Sequence, residues 1–318
     1  MSTHHFCARV CRVSVALSAV GLVLLALDPR AGHSAVQAEP ILLPLVTKQI
    51  LPAPGRILYT AEVTTEEYAS IFVVNSSGTG HTRITTGVNA WEPDWSPDGQ
   101  KLVFTGYCGP QGGTNLCILN ADGSGLVPLT QYDAIEKNAA WSPDGTRIAF
   151  SSNLGGSWNL HTVNADGTNR VQLTDDSASD FDPAWSPDGS KLAFESNRED
   201  GNPEIFVMDL ETLAVSRLTN DILSDWTPTW SPDGTTIAWQ HGYRIFLMNA
   251  DGTSQKRLTT GDYQEWHPTW SPNGEWVAYD RLNPQPVIAV IRTNGSDYYE
   301  ITAPTDIGLG HGEPDWGP

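Results

Sequence analysis

Basic residues are scarce. Eighteen Lys and Arg stand against 37 Asp and Glu, a formal net charge of −19 over 318 residues. A surface of that sign repels phosphate backbones and anionic lipid headgroups, which excludes nucleic acid and acidic membrane surfaces as partners. Charged residues of either sign make up only 17%, too few for a coiled coil or a long solvated helix. Four Cys are present, at spacings that match no zinc site. The longest apolar run, residues 13–27, falls short of the roughly 18–20 residues that a spanning helix needs. No GxSxG elbow, HExxH helix or phosphate-cradling GxxxxGK[ST] occurs, so the common signatures of Ser hydrolases, zinc peptidases and P-loop enzymes are missing.

What is present begins with an export signal. Arg9 and Arg12 precede the apolar run, Asp28 and Pro29 end it, and Val36-Gln37-Ala38 offers small residues for cleavage after Ala38. Residues 1–38 are therefore expected to be removed, with no membrane insertion afterwards. The remainder then carries 15 Lys+Arg against 36 Asp+Glu, because the signal holds Arg9, Arg12, Arg30 and Asp28. A Pro-rich linker is expected over 39–54. Only Cys108 and Cys117 survive cleavage, flanking one short loop; in an exported chain a disulfide between them is expected.

Twelve Trp, 29 Gly and 22 Pro form a pattern. WSPDG starts at Trp95, Trp141, Trp185 and Trp230, WSPNG at Trp270 and a clipped WGP at Trp316. The intervals are 46, 44, 45, 40 and 46 residues. After each full motif comes a short apolar strand such as KLVFTG or KLAFES, then a second such as LCILN or IFVMD. A turn such as NADG follows, then a third signal such as QLTD or RLTN. Asp-Gly and Asn-Gly supply the positive φ of tight hairpins. Each repeat is thus four short antiparallel strands, which cannot bury both sheet faces alone, and radial packing of six solves that problem. The expected fold is all-β, a six-bladed β-propeller over 55–318, with the recurrent Trp wedged between blades. Residues 55–87 hold only the last three strands of a repeat, and GEPDWGP at the C-terminus supplies the missing first one. The final strand is expected to complete the first blade and close the ring.

The segment PAWSPDGSKLAFESNREDGNPEIFVMD, residues 183–209, resembles the propeller repeat of the TolB family, a pattern shared with the propeller domains of prolyl-oligopeptidase-type peptidases. The resemblance spans about 53–318. It implies a cell-envelope binding module. The α/β domain that accompanies the TolB propeller and the hydrolase domain of the peptidases are not expected here, so the chain reads as non-catalytic.

In a propeller the loops entering the innermost strands surround one mouth of the central channel. Aligned on the Pro two residues before each motif Trp, three columns converge there. Three positions before the Pro stand Glu136, Asp180, Asp225, Glu265 and His311; two before it, Trp91, Phe181, Trp226 and Trp266; one before it, Glu92, Asp182, His267 and Glu313. Acids beside aromatics on a rigid scaffold suit a protein or peptide ligand, cationic in character. No cofactor is expected, although a divalent cation in the channel is compatible with the acids. His267 and His311 with Glu265 and Glu313 offer metal-binding atoms at one mouth, but no metal site is assigned. The competing readings are acids that cap strand ends, a purely structural envelope component, and a propeller hydrolase or lyase using carboxylates such as Asp182 and Asp225.

Overall fold

The computed structural model describes residues 55–62, 68–109, 113–282, 286–301 and 312–318. The expected signal and linker lie outside the described residues, apart from a strand pair, Leu17–Ser18 with Gly21–Leu22. His311 also lies outside them. Among the described residues there is no helix, and none that is long and apolar enough to cross a membrane.

The described residues from 55 onward form six four-stranded antiparallel sheets, each in sequential order except one. That one is blade one, in which the C-terminal strand Asp315–Gly317 pairs with Arg56–Glu62, followed by Ala69–Asn75 and Thr82–Arg83. Trp316 stands opposite Ile57 and Asp315 opposite Leu58, so the chain closes the ring as its repeat pattern requires. Blades two to six start with the inner strands Ala90–Trp95, Glu136–Trp141, Asp180–Trp185, Asp225–Trp230 and Gln264–Trp270.

Each WSPDG segment is a self-bonded turn. In blade four Ser186 Oγ donates to Asp188 Oδ1 (2.6 Å), Gly189 N donates to Ser186 O (2.8 Å), and Gly189 takes φ 71°, which only Gly adopts without strain. The hydroxyl of Ser186 and the backbone N–H of Ser190 hold the Asp188 carboxyl down at about 2. The six motif Trp are all buried. Apolar clusters straddle the blade boundaries: Leu58 and Ile71 of blade one pack with Trp95 and Leu102 of blade two, and Ala238 and Leu247 of blade five with Trp270 and Val277 of blade six. Trp185 Nε1 and Trp270 Nε1 also donate to carbonyls of the preceding blade, Ala140 O (3.1 Å) and Thr229 O (3.2 Å). The Trp is a wedge between sheets, as its recurrence suggested. At the seam Gly317 has no room for a side chain, since a Cβ there would stand 2.1 Å from the Trp95 ring.

Candidate functional site

One backbone irregularity builds the channel mouth. In each complete inner strand the pairing register slips just before the motif Trp, for example between Phe181 and Ala184. The residue three before the motif Trp then takes a left-handed conformation: Glu92 at φ 50°, Asn138 at 55°, Asp182 at 50°, Thr227 at 48°, His267 at 47° and Glu313 at 38°. Such values are uncommon for any side chain and strained for a β-branched Thr. A bulge re-aims the residue it carries, and here it turns one side chain per blade into the axis. The channel so formed is a cavity of about 190 Å³, lined by these six residues and the two that follow each of them.

The lining is acidic and stitched across blades. Glu92 N donates to Glu313 Oε2 (2.8 Å), and Asn138 N donates to Glu92 Oε2 (2.8 Å), which also accepts from Thr105 Oγ1 (2.7 Å). One level deeper, Asp315 Oδ2 accepts from Trp95 N (2.8 Å) and Asp94 Oδ2 from Trp141 N (2.7 Å). Burial raises the Glu92 carboxyl, and the Glu313 charge adds to it. Burial also raises Asp182 with Glu92 adding, and raises Glu195 well above the ordinary range with its bonded neighbour Asp182 adding. Asp94 is raised well above the ordinary range by burial and then by Asp315, and burial pushes Asp315 up to about 6 against the pull of Trp95 N and Thr269.

These shifts have a sign. A carboxyl that keeps its proton longer folded than unfolded stabilises the fold below its ordinary value, and that stability is lost as pH rises through the folded value. Asp315→Asn keeps an acceptor for Trp95 N and removes the charge. It is expected to match the wild type below 3.8 and to exceed it above about 6, by about 3 kcal/mol. Urea unfolding across that range checks it.

His267 is the cationic counterpart. Its burial opposes a charge, but Asp280, whose Oδ1 lies 2.8 Å from Nδ1, together with Glu313 and Asp182, outweighs that and lifts it to about 9. Its stabilising charge is present below 6.5 and is lost as pH rises through about 9. Thermal melts over that interval are expected to fall for the wild type and to flatten for His267→Gln.

The three columns separate in space. Glu92, Asp182, His267 and Glu313 reach the channel. Trp91, Phe181, Trp226 and Trp266 are half-buried at the rim, with Trp91 edge-on to Tyr107 and Trp266 edge-on to Tyr243. Glu136, Asp180, Asp225 and Glu265 instead turn into the sheets, all 3% exposed or less. Arg170 pairs with Glu136, Arg198 with Asp180 (3.0 Å), His241 with Asp225 (2.7 Å), and Thr259 donates to Glu265. Glu265 and His267 therefore do not meet around a common point, because His267 is turned to Asp280. Asp182 finds its acidic neighbour in Glu195, whereas Asp225 faces His241. Cys108 and Cys117 are joined as a disulfide, Cα atoms 6.1 Å apart. Sequence reasoning missed Asp94, Asp315, Glu195 and Asp280; the first two stand one position after the aligned Pro, a column that was open to inspection.

Lys137 adds a second positive charge beside the acidic lining. Its Nζ lies 4.5 Å from the ring centre of Phe181 and 5.0 Å from that of Trp158, and its charge is felt by Glu92, Asp182 and Glu195. The loops on this face also expose Tyr107, Tyr132, Ile135, Leu223, Tyr243 and Ile222, the last at 96%. A larger cleft of about 580 Å³ opens between blades five and six by the WSPDG turns, with one acid and one Lys in its lining.

The comparisons with known proteins agree on the architecture. A family model described as the TolB beta propeller domain matches residues 111–318. The structure of TolB from Acinetobacter baumannii superposes with a TM-score of 0.69 at 21% identity, over 83% of this chain and 67% of that one. An oligogalacturonate lyase from Vibrio parahaemolyticus superposes with a TM-score of 0.52 at 18% identity, over 78% and 72% of the two chains. Dipeptidyl-peptidase 5 of Porphyromonas gingivalis is 43% identical over 67 residues, 20% of this chain. The chain spans a tenth of that peptidase.

Proposed function

Because the chain belongs to the TolB β-propeller domain family, we propose that it is an exported, non-catalytic binding module of the cell envelope that takes a cationic peptide segment at the acidic mouth of its channel. The observation that carries this reading is Lys137. An ammonium group already lies over the rings of Phe181 and Trp158, and its charge lowers the carboxyls of Glu92, Asp182 and Glu195, so the mouth offers both the cation–π faces and the counter-charge that a Lys or Arg side chain requires. Rigid inner strands position these groups, and the aromatic and aliphatic side chains exposed on the surrounding loops supply the apolar contact that charge alone does not. The chain's large negative charge favours encounter with such a partner and repels acidic ones.

The test uses a probe peptide with two Lys and one Trp, titrated calorimetrically against its Glu-for-Lys counterpart. Saturable binding of the first and none of the second supports the reading. Equal binding of both, or of neither, overturns it.

A second reading, a propeller hydrolase or lyase, is favoured by the Asp182–Glu195 pair, since two adjacent carboxyls that burial raises together are the equipment of general acid catalysis. Turnover of a peptide or an acidic oligosaccharide that is abolished by Glu195→Gln would move the function there.

A further inference from the structure

In blades three to six an acid at or next to the start of the inner strand is buried opposite the end of the neighbouring strand, and the residue it faces differs by blade. Glu136 stands across from Ser152 and Asp180 across from Ser196. Those small residues leave room for a guanidinium: Arg170 bonds both Glu136 and Ser152 Oγ, and Arg198 bonds both Asp180 and Ser196 Oγ. In blade six Arg281 itself stands across from Glu265. In blade five the partner is His241, the last residue of its strand.

Among the described residues no guanidinium bonds Asp225. Instead a second carboxylate approaches: Asp221, from the loop before the strand, brings Oδ2 to 3.6 Å from His241 Nδ1, while Asp225 Oδ1 lies 2.7 Å from the same nitrogen. The Leu223 N–H donates to Asp221 Oδ1 (2.8 Å), which fixes the carboxylate with its other oxygen inward. Asp225 is fully buried, and its Oδ2 makes no hydrogen bond. A buried carboxylate with one oxygen free of hydrogen bonds thus stands beside a second carboxylate and an imidazole, where its counterparts in blades three and four bond an arginine.

We propose that Asp221, Asp225 and His241 bind one divalent metal ion of the zinc class. One nitrogen and two oxygens form a donor set typical of such ions, with ligand bonds of about 2.0–2.2 Å, which in a tetrahedron sets donor atoms roughly 3.4 Å apart. The two measured separations, 2.7 and 3.6 Å, bracket that spacing, and all three donor atoms lie within 4.8 Å of one another. The ion replaces the proton between Asp225 and His241 and gives the blade the charge that Arg170 and Arg198 provide elsewhere. Asp221, 42% exposed, opens the fourth position to solvent or to an incoming ligand at the rim.

The experiment is calorimetric titration of the full chain with zinc chloride at neutral pH, with cobalt(II) absorption spectra in parallel. One equivalent is expected, with cobalt bands of a four-coordinate site. Asp221→Asn and His241→Gln are each expected to weaken it by at least about tenfold, the loss that even an outer-shell partner brings, and to remove the cobalt bands. Glu92→Gln is expected to retain both, which separates this site from the channel. Absence of saturable zinc binding, wild-type affinity in Asp221→Asn and His241→Gln, or loss confined to Glu92→Gln overturns the proposal. Asp221 lies on the surface, so its variant reports on the metal even where His241→Gln disturbs the blade.

Discussion

Replacing Trp316 by Ala is expected to cost about 3–5 kcal/mol of stability, the range found when a large aromatic is removed from a packed core. Trp316 is 5% exposed and packs with Ile57, Tyr59, Trp276 and Ala278, so it contacts both the blade it completes and the blade before it. Its backbone N–H donates to Thr269 Oγ1 (3.3 Å), and its neighbour Asp315 accepts from Trp95 N on the other side. The indole is therefore part of the seam of the ring, where both blade-one interfaces meet. An equivalent change in mid-chain, Trp185→Ala, removes a similar wedge but leaves its strand held by chain continuity on both sides. Trp316→Ala is expected to be at least as costly, and also to broaden the urea transition as the last strand frays before the rest. Equal midpoints for Trp316→Ala and wild type would mean that the ring does not depend on this strand.

The second large effect is expected at the mouth. The triple variant Glu92→Gln, Asp182→Asn, Glu313→Gln keeps hydrogen-bond acceptors for Asn138 N and Glu92 N while removing three charges. A hydrogen bond to a charged partner contributes about 1.5–3 kcal/mol, so loss of even one weakens the cationic probe by roughly tenfold or more. Two qualitative signatures accompany it. Wild-type affinity is expected to fall steeply with salt, and the variant's far less. Wild-type affinity is also expected to rise with pH, because Glu92, Asp182 and Glu195 hold protons above the ordinary carboxylate range and a cation must displace them. Calorimetry at several salt concentrations and pH values checks all three.

The architecture was legible because it is written six times. WSPDG specifies a turn through its own Ser, Asp and Gly, the Trp marks the wedge, and the complementarity of GEPDWGP with residues 55–62 marks the seam. The site was legible only in part. The columns holding Glu92, Asp182, His267 and Glu313 were identified, but simple alternation along a strand puts them on the same face as Glu136, Asp180, Asp225 and Glu265. The bulge breaks that alternation and sends one set to the axis and the other into the sheets. A bulge is a backbone event with weak sequence markers; Asn138, a residue tolerant of left-handed backbone, and the Pro that follows the column in five blades are the two hints present. The arginines that neutralise the buried acids were invisible for another reason. Arg170 and Arg198 reach Glu136 and Asp180 from different strands and loops, at separations of 34 and 18 residues, and no local spacing encodes that meeting.

Photo-crosslinking tests the binding reading most directly. The Lys–Trp probe, carrying a benzophenone in place of its Trp, is irradiated with the full chain and the adduct mapped by mass spectrometry. Adducts are predicted on the rim, at Trp91, Phe181, Trp226 or Trp266 and their loops, and their yield is predicted to drop in the triple variant. Adducts on the WSPDG-turn face or along the outer strands, unchanged by the variant, would contradict the account.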